Sequence, residues 1–425
     1  MAAAGRRLVQ RLRLPAGGRI DRARPLTFRF NGTAYSGYAG DTLAAALLAN
    51  GIHLVGRSFK YHRPRGIVGG GTEEPNALVQ IGRGARTLPN QPATQVELYD
   101  GLESTSVNGW PSVRYDVLAS LSLLGRFLPA GFYYKTFMWP GRWWPVYERV
   151  LRRAAGLGRA PAAPDLDTYE KVNAHCDVLV VGAGPAGLAA AVSAGRTGAR
   201  VILADEQPAF GGSLLGTRER IDGAPALDWV QRVEAELAGM GDVRMVRRAT
   251  VTGYYDHSLL LMHERLTHHL APSLAAGPRE RLWRVRAQHV VLATGAIERP
   301  LVFANNDRPG VMLASAVATY VNRYAVAAGR RPLIFTNNDS AYRTALDLLA
   351  QGVAVAGVVD VRPHPEGELA AAVRRLGLPI HAGQSVVAVR GTVHVRAVTI
   401  RRIDATGSGV EGPAHEIACD ALAMS

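Results

Sequence analysis

The sequence predicts an α/β fold preceded by a smaller α+β domain. Three stretches carry this prediction: an alternating apolar segment that turns at Asn31-Gly32, a glycine-loop motif within 176–207, and a strand–helix–strand pattern over 331–360. At 425 residues the chain is long enough for two or three domains, and 48% hydrophobic residues are enough to build their cores.

The first stretch predicts a hairpin followed by a helix. Apolar residues alternate with polar ones up to Asn31-Gly32, which is a strong signal for a two-residue turn. Asp41 is expected to cap a helix over the apolar run Leu43–Leu48, and Asn76–Gly82 is expected to form the next strand. Strand, turn, strand and helix in this order are the opening of a ferredoxin-like β-grasp.

The segment between this helix and the next strand, Ser58–Leu78, contains no cysteine. Plant-type ferredoxins carry the cluster ligands C-x₄-C-x₂-C at this place. Only Cys176 and Cys419 occur in the chain. The β-grasp is therefore predicted to lack an iron–sulfur cluster.

Ser58–Leu78 is strongly basic at its start and rich in glycine further on, reading SFKYHRPRGIVGGGTEEPNAL. Three interpretations are open: a solvated basic loop, a nucleic-acid arm, or a structured loop whose Lys60, Arg63 and Arg65 face an anion or a partner. The third is favoured, and it makes the segment a former cluster loop that is reused for docking.

The clearest motif is a glycine loop in its full context. A buried strand at Asp177–Val181 leads into Gly182-x-Gly184-x-x-Gly187 and an alanine-rich helix, and a second strand at Val201–Ala204 ends at Asp205. This arrangement matches the dinucleotide fingerprint of Rossmann folds.

Each residue of this fingerprint has a predicted role. Gly182 permits the tight turn, Gly184 lets the backbone approach a pyrophosphate, and Gly187 lets the helix pack closely on the strand. The helix N-terminus offers N–H groups to the phosphates. Asp205 is placed to bind a ribose hydroxyl, which favours NAD or FAD over NADP.

Later stretches predict a two-dinucleotide-binding, flavoprotein-like fold. The strand and ATG segment at His289–Pro300 and the connection at Asn305–Met312 are typical of such folds. A second Rossmann unit is expected over 331–360, but its turn, Thr336–Ala341, reads TNNDSA in place of glycines. Side chains, among them the acidic Asp339, would stand where a pyrophosphate must lie, so this unit is expected to keep the fold without the ligand.

Composition and motif content exclude several function classes. The formal net charge is +14, yet nucleic-acid binding is not predicted, because no helix-turn-helix, zinc or RNP motif accompanies the charge. No run of 18 apolar residues predicts a membrane span, and two distant cysteines suit a reducing cytoplasm. The lack of Cys-x-x-Cys excludes disulfide-reductase chemistry, and the sequence predicts neither catalytic residues nor metal ligands.

The predicted domain order follows from these motifs. Residues 1–25 form an N-terminal extension, 26–93 the β-grasp, 94–165 an aromatic-rich connecting region and linker, and 166–425 the Rossmann-like domain with a nested second unit at about 300–400. The aromatic cluster in Gly131–Val150 is interpreted as a core plug between domains, with a subunit contact as the alternative and a cofactor-stacking box third. His415–Ser425 is expected to return to the first Rossmann sheet, which suggests a piece of a longer protein.

From about Gly18 to Ser425 the chain resembles one known family. The stretches that carry the resemblance are GRIDRARPLTFRFNG, YAGDTLAAALLANG, GRSFKYHRPRGI, EEPNALVQIG, ELYDGL, AGFYYKTFM, GAGPAGLAAA, DEQPAFGG, FTNNDSAYRTALDLL and CDALAMS. They occur in family order and are similar to the N-terminal portion of the alpha subunits of heterotetrameric bacterial sarcosine oxidases.

The resemblance implies a reaction and a set of partners. Such complexes oxidise sarcosine to glycine, give hydrogen peroxide, and release the methyl carbon as formaldehyde or as methylenetetrahydrofolate. The implied partners are beta, gamma and delta subunits, with FAD and covalent FMN mainly on the beta subunit. The tetrahydrofolate site would lie in a C-terminal domain beyond these residues.

For this chain, the resemblance implies NAD rather than FAD at the glycine loop. The contacts carried over by matched position are Ala186 near the pyrophosphate, Asp205 and Glu206 at the ribose, Ser213 after the Gly-Gly, and Val251 near the adenine. Gln207 departs from the arginine that some relatives have, which puts that contact in doubt. The alternatives are a stand-alone FAD-dependent pyridine-nucleotide oxidoreductase and a related opine or amine oxidase subunit.

Overall fold

The computed structural model describes residues 9–127, 131, 139–156, 158 and 160–425. They form two compact units, one of which combines the chain up to Pro164 with Glu298–Ser425, while the other is Asp165–Ile297. The helices are α1 Leu43–Ala49, α2 Trp144–Ala155, α3 Pro185–Arg196, α4 Ala226–Ala238, α5 Ala314–Tyr324, α6 Ser340–Ala350 and α7 Glu368–Arg375. The strands are β1 Asp21–Phe30, β2 Thr33–Ala39, β3 Gly56–Arg57, β4 Pro64–Arg65, β5 Leu78–Ile81, β6 Leu88–Pro92, β7 Glu103–Ser106, β8 Tyr169–Val181, β9 Val201–Ala204, β10 Arg220–Ile221, β11 Ala224–Pro225, β12 Val243–Val246, β13 Ala249–Tyr255, β14 Leu259–Arg265, β15 Glu280–Leu292, β16 Val311–Leu313, β17 Pro332–Thr336, β18 Gly357–Asp360, β19 Ile380–Ala382, β20 Gln384–Arg390, β21 Ala397–Ile403, β22 Val410–Ala418 and β23 Ala421–Met424.

The N-terminal sheet of the first unit has the order β2-β1-β7-β5-β6. Its β1–β2 hairpin is joined by Asn31 and Gly32, whose φ angles of 49° and 81° are those of a two-residue turn with both residues left-handed. The predicted hairpin and the predicted strand after it, β5, are therefore confirmed. All seven residues of α1 are buried, so this helix supplies much of the core beneath the sheet.

The predicted cap of α1 is wrong by one residue. Thr42 is the N-cap, and its Oγ1 accepts a hydrogen bond from the Ala45 amide at 3.2 Å. Asp41 is buried and accepts two hydrogen bonds from the Arg13 guanidinium, at 3.0 and 2.6 Å, and one from the Tyr38 amide at 2.9 Å. The carboxylate of Asp41 is bonded to the buried side chain of Arg13, so the hydroxyl of the neighbouring Thr42 caps the helix instead.

The first unit also contains a parallel sheet with the order β16-β23-β17-β18-β19. The predicted strand, helix and strand of the second Rossmann unit are confirmed as β17, α6 and β18. A separate antiparallel sheet, β20-β21-β22, follows β19 in the chain.

The prediction for the last strand is wrong. β23 does not return to the first Rossmann sheet, because it pairs in parallel with β16 and with β17. Its four residues are buried on both faces, as is usual for a central strand of a parallel sheet. A short apolar run of this kind fits the centre of either sheet equally well, so the pattern alone could not decide between them.

The second unit is one six-stranded sheet with the order β12-β9-β8-β15-β14-β13. The first four of these strands are parallel, and β14 and β13 add an antiparallel edge. One face packs against α3 and α4 through residues such as Val180 and Leu188, and the opposite face is built around Leu179, Met262 and Trp283. Successive residues of β8 therefore serve two cores, and its carboxyl end points to the glycine loop.

The aromatic region is only partly described. Phe132, Tyr133, Tyr134 and Phe137 lie outside the described residues. Trp139, Trp143 and Trp144 have exposed fractions of 83%, 51% and 40%, so the core-plug interpretation is wrong for these three. In the part of the chain that the structure describes, no helix is both long and apolar enough to cross a membrane.

Candidate dinucleotide-binding site

The predicted glycine loop connects β8 to α3 within the second unit. Gly182 has a φ of +98°, and a Cβ at this position would lie 2.4 Å from the carbonyl oxygen of Ala293. A Cβ on Gly187 would lie 1.8 Å from the carbonyl oxygen of Gly182. Both glycines are therefore required by the packing of the loop itself, as the fingerprint predicts.

Gly184 is different, because the protein does not require a glycine there. Its backbone is extended, with φ −70° and ψ −176°, and the nearest atom to a Cβ added at this position would be the Cα of Gly212 at 3.8 Å. Gly184 is the residue that precedes the first turn of α3. A glycine that packing does not need, next to an open helix end, is the feature expected where a ligand touches the backbone.

The start of α3 is exposed to solvent. Gly184 is its N-cap, Pro185 is its first residue, and both Pro185 and Ala186 are exposed. The amides of a first helical turn have no partners within the helix, and the helix dipole adds positive potential there. A pyrophosphate is the kind of group that such an end holds.

The Gly211-Gly212 pair lies against this loop. The Gly211 amide donates to the carbonyl of Ala183 at 2.8 Å, and a Cβ on Gly212 would lie 2.7 Å from the Cα of Gly184. Exposed Ser213 follows in a short 3₁₀ helix. Ser213 thus follows directly on the glycine pair that contacts the loop.

Asp205 at the end of β9 has a structural role that the sequence did not predict. One carboxylate oxygen accepts the Ala183 amide at 2.6 Å, and the other accepts the Gln207 amide at 2.8 Å. The residue is 8% exposed. Asp205 therefore fixes the glycine loop to the end of β9, and no local sequence signal marks Ala183 as its partner.

Glu206 and Val251 complete the predicted set. Glu206 is half-buried, and its carbonyl accepts a hydrogen bond from Arg265 at 2.8 Å. Val251 is half-buried on β13, two residues after Ala249, whose amide donates to the carbonyl of Asp205 at 2.8 Å. Backbone hydrogen bonds thus join the start of β13 to Asp205 and the Gly211-Gly212 pair to the glycine loop.

The second Rossmann-type loop is occupied by its own side chains. Asn338 Oδ1 accepts hydrogen bonds from the amide of Ser340 at 2.9 Å and from its hydroxyl at 2.6 Å, at the start of α6. Arg362 lies 2.8 Å from a carboxylate oxygen of Asp339 and also pairs with the buried Asp360. The amide and carboxylate side chains thus take the positions where the first loop has glycine backbone.

The glycine-rich part of Ser58–Leu78 is organised by two acids. Glu74 is 3% exposed, and burial raises the pKa of its carboxyl group, while the hydrogen bonds from backbone amides oppose that shift. The amides of Val68, Gly69, Asn76 and Ala77 donate to Glu74, and those of Gly70 and Gly71 donate to Glu73, at 2.6–3.0 Å. The loop is therefore wrapped around the chain's own carboxylates.

The basic part of the same segment also finds an anion within the chain. Both carboxylate oxygens of Asp307 accept hydrogen bonds from Arg63, at 2.6 and 2.7 Å, and Arg65 lies 2.7 Å from the same group. Lys60 lies over the ring of Tyr61, 4.7 Å from its centroid. For Arg63 and Arg65, the predicted anion is an internal carboxylate.

Comparison with known proteins gives two family matches and several relatives. A model described as a 2Fe-2S iron-sulfur cluster binding domain matches residues 23–109, and one described as an FAD dependent oxidoreductase matches residues 177–250. The sarcosine oxidase subunit alpha of Rhizobium meliloti (strain 1021) is 52% identical over 97% of this chain and 41% of the relative. That of Corynebacterium sp. (strain U-96) is 39% identical over 96% of this chain and 38% of the relative.

The chain thus spans about two fifths of the length of these curated relatives. Among solved structures, the L-proline dehydrogenase from P. horikoshii matches with a TM-score of 0.61 and 20% identity, covering 98% of this chain and 62% of that one. This likeness supports the two-dinucleotide-binding flavoprotein fold predicted from the sequence.

The groups implied by the two family models fit this chain unequally. Residues 23–109 contain no cysteine, so they offer no thiolate to a 2Fe-2S cluster. In the glycine-rich part of Ser58–Leu78, backbone amides donate to Glu73 and Glu74 instead. A 2Fe-2S cluster therefore does not fit. A dinucleotide does fit at the other site, because the open end of α3 and the missing side chain of Gly184 leave room for a pyrophosphate.

Proposed function

We propose that this chain, which belongs to the sarcosine oxidase alpha-subunit family, is the NAD-binding, non-catalytic part of a sarcosine-oxidising complex. The observation that carries the proposal is the 52% identity with a sarcosine oxidase alpha subunit over 97% of the chain. The geometry of the glycine loop supports the dinucleotide part of it independently.

The reaction proposed for the complex consumes sarcosine, oxygen and water and gives glycine, formaldehyde and hydrogen peroxide. The N-methyl carbon is oxidised by two electrons, and oxygen is reduced to peroxide, so atoms and electrons balance. We assign FAD and FMN mainly to the beta subunit, and we include gamma and delta subunits in the complex. No tetrahydrofolate site is assigned to these 425 residues, and the complex is placed in the cytoplasm, which suits two buried free cysteines.

The described residues would hold the ADP half of NAD. The pyrophosphate would lie over Gly184 and Ala186 with Ser213 beside it, at the N-terminus of α3, where Ala186 is exposed. The ribose hydroxyls would face Asp205 and Glu206, whose carboxylates are acceptors for hydroxyl donors. The adenine would lie near Val251 on β13. When bound, NAD supplies a nicotinamide that can accept a hydride.

The choice of NAD over NADP follows from charge. With the ribose at Asp205 and Glu206, a 2′-phosphate would lie near two carboxylates, and like charges repel. FAD is the strongest competitor, because it shares the ADP half and the matching family model names it. Titration calorimetry with NAD, NADP and FAD tests the choice, and tight FAD binding without NAD binding would contradict it.

We further propose that residues 23–109 hold no iron–sulfur cluster, although the matching family model is described by one. The support is chemical: a cluster of this kind is held by thiolates, and this range has none.

The alternative function is a stand-alone FAD-dependent pyridine-nucleotide oxidoreductase, or an opine or amine oxidase subunit. The FAD oxidoreductase match over 177–250 favours it. The two functions differ in assembly. Co-expression with a sarcosine oxidase beta subunit should yield a stable complex with sarcosine-dependent peroxide formation, whereas an isolated chain that oxidises NADH with bound flavin would favour the alternative.

A further inference from the structure

A group of large apolar side chains stands exposed on the first unit. Its members, which we call the platform, are Phe59, Trp110, Tyr115, Val117 and Leu123, with exposed fractions of 62%, 65%, 70%, 58% and 83%. Single exposed apolar residues are ordinary, but several on neighbouring segments indicate a surface that binds something.

The turn that carries Phe59 is closed by its own backbone. The Ser58 amide donates to the carbonyl of Arg63 at 2.9 Å, and the His62 amide donates to the carbonyl of Ser58 at 3.0 Å. The Ser58 hydroxyl accepts the Arg63 amide at 2.9 Å. Phe59 therefore projects from a tight, hydrogen-bonded turn rather than from a loose loop.

This turn is tied to the segment that carries the other platform residues. His62, which is 1% exposed, lies with Nδ1 2.6 Å from the buried carboxylate of Asp116. The Arg57 guanidinium donates to the carbonyls of Val113 and Arg114, at 2.8 and 3.2 Å. The segments that carry Phe59 and Tyr115 are thus joined by polar contacts.

The second segment is itself closed beneath its exposed side chains. The Val117 amide donates to the carbonyl of Trp110 at 2.8 Å, and Asp116 Oδ1 accepts the Trp110 amide at 3.0 Å. Tyr61 lies between the segments, and its hydroxyl donates to the carbonyl of Gly125 at 3.4 Å. Aromatic anchors held in place before binding lose little conformational entropy when a partner docks.

The charges around the platform are almost all of one sign. The segments 58–65 and 110–123 contain Lys60, Arg63, Arg65 and Arg114, and their one acid is Asp116, whose side chain is fully buried. Asp307 from elsewhere in the unit pairs with two of these arginines and is 15% exposed. The solvent-facing charge at the border of the platform is therefore positive.

We propose that the platform is the docking surface for a second protein subunit that offers an apolar pocket bordered by carboxylates. The inference rests on the proposed function, because it assigns a surface to the partner of the complex. Aromatic residues at the centre and arginine at the border are the composition of a protein interface. A nucleic acid would be drawn to the border charges but would leave Phe59 and Tyr115 without a pocket.

The test is the affinity of the purified chain for the beta subunit of its own complex. Phe59→Ser and Tyr115→Ser should each raise the Kd about tenfold or more, because a few aromatic anchors carry most of the binding energy of an interface. Arg114→Glu should slow association and make it less dependent on salt. Leu376→Ser is the matched control, because Leu376 lies in the same unit with the same 62% exposed fraction as Phe59.

Failure of the surface and failure of the function give different results. If the unaltered chain binds the beta subunit and the Phe59→Ser, Tyr115→Ser and Arg114→Glu variants all bind within about twofold of it, the platform is not the docking surface. If the unaltered chain does not bind at all, the proposed function fails. If the Arg114→Glu change abolishes retention of duplex DNA but leaves beta-subunit binding intact, the occupant is a nucleic acid and the proposal is overturned.

Discussion

Gly187 is the residue of the glycine loop with the least room for a side chain. A Cβ there would lie 1.8 Å from the Gly182 carbonyl oxygen, which is backbone and cannot move aside. We expect Gly187→Ala to lower the free energy of unfolding of the second unit by about 1–3 kcal/mol or more, as overpacking does. Urea unfolding measures this. Gly241→Ala, where no atom lies within 4 Å of the added Cβ, should change stability little, and equal losses for both variants would contradict the packing argument.

Asp205 tests whether the glycine loop is held by a carboxylate. In Asp205→Asn one oxygen becomes an NH₂ group, which cannot accept the Ala183 or the Gln207 amide. We expect a loss of about 1–3 kcal/mol in the free energy of unfolding, because a buried amide is left without a partner. NAD affinity should fall with it. The control is Asp242→Asn, which alters an exposed aspartate in the same unit. If Asp205→Asn is as stable as the original chain, Asp205 does not anchor the glycine loop.

At the scale of single residues, the sequence predicted the glycine loop but not every contact that holds it. The spacing of Gly182, Gly184 and Gly187 identified the loop, although packing requires a glycine only at Gly182 and Gly187. The same spacing could not show that Asp205 bonds Ala183, since that contact joins two elements 22 residues apart. Thr42 replaced Asp41 as the cap for a similar reason, because distant Arg13 competes for the carboxylate.

Among the elements, the loop around Glu73 and Glu74 has a fold-stabilising role. Four amides converge on the buried carboxylate of Glu74. We expect Glu74→Gln to cost about 1–3 kcal/mol in the free energy of unfolding, because the NH₂ group cannot accept those hydrogen bonds. Iron and acid-labile sulfide should be absent from the unaltered chain as purified, even after anaerobic purification.

The control for Glu74→Gln is Glu103→Gln. Glu103 is 35% exposed and pairs with exposed Arg83, so its loss should cost well under about 1 kcal/mol. Stoichiometric iron and sulfide in the purified chain would contradict the account of this loop, and so would a Glu74→Gln variant as stable as the original.

Elements with strong local signals were predicted well. The β1–β2 hairpin follows from Asn31-Gly32, and the β17–α6–β18 unit follows from hydrophobic periodicity. β23 was assigned to the wrong sheet because a short apolar strand carries no information about its neighbours in space. The tryptophans of the 139–144 segment were expected in a core but are exposed. The prediction failed because aromatic content alone does not distinguish a core from an interface.

At the scale of the whole molecule, one histidine pair makes the stability of the first unit depend on pH. The rings of His53 and His394 lie 4.1 Å apart between centroids. Burial, and then the nearby His394, lower the pKa of His53 to about 3, and burial also lowers the pKa of His394. The folded state therefore binds fewer protons than the unfolded chain, so stability is complete above about pH 6.5 and is lost as the pH falls from there toward 3.

We expect the free energy of unfolding to drop by about 1–2 kcal/mol more between pH 7 and pH 5 in the original chain than in His53→Phe. Urea unfolding at the two pH values measures the difference. His175→Gln, which alters an exposed histidine on β8, should keep the full drop. Equal drops in the free energy of unfolding for the original chain and His53→Phe would show that the histidine pair does not cause the pH dependence.

At the same scale, the dinucleotide proposed for the second unit can be tested at a single position. Gly184 isolates it, because its backbone is extended and a Cβ there would meet no protein atom closer than 3.8 Å. Gly184→Ala should therefore fold normally. It should lose affinity for NAD, because the added methyl group would stand where the pyrophosphate would touch the backbone.

The most direct measurement is the nucleotide released by acid from the purified chain, separated and quantified by chromatography. We predict close to one NAD per chain and no flavin in the original, and at least about tenfold less NAD in folded Gly184→Ala. Stoichiometric FAD in the original chain, or NAD retained in full by Gly184→Ala, would contradict the account.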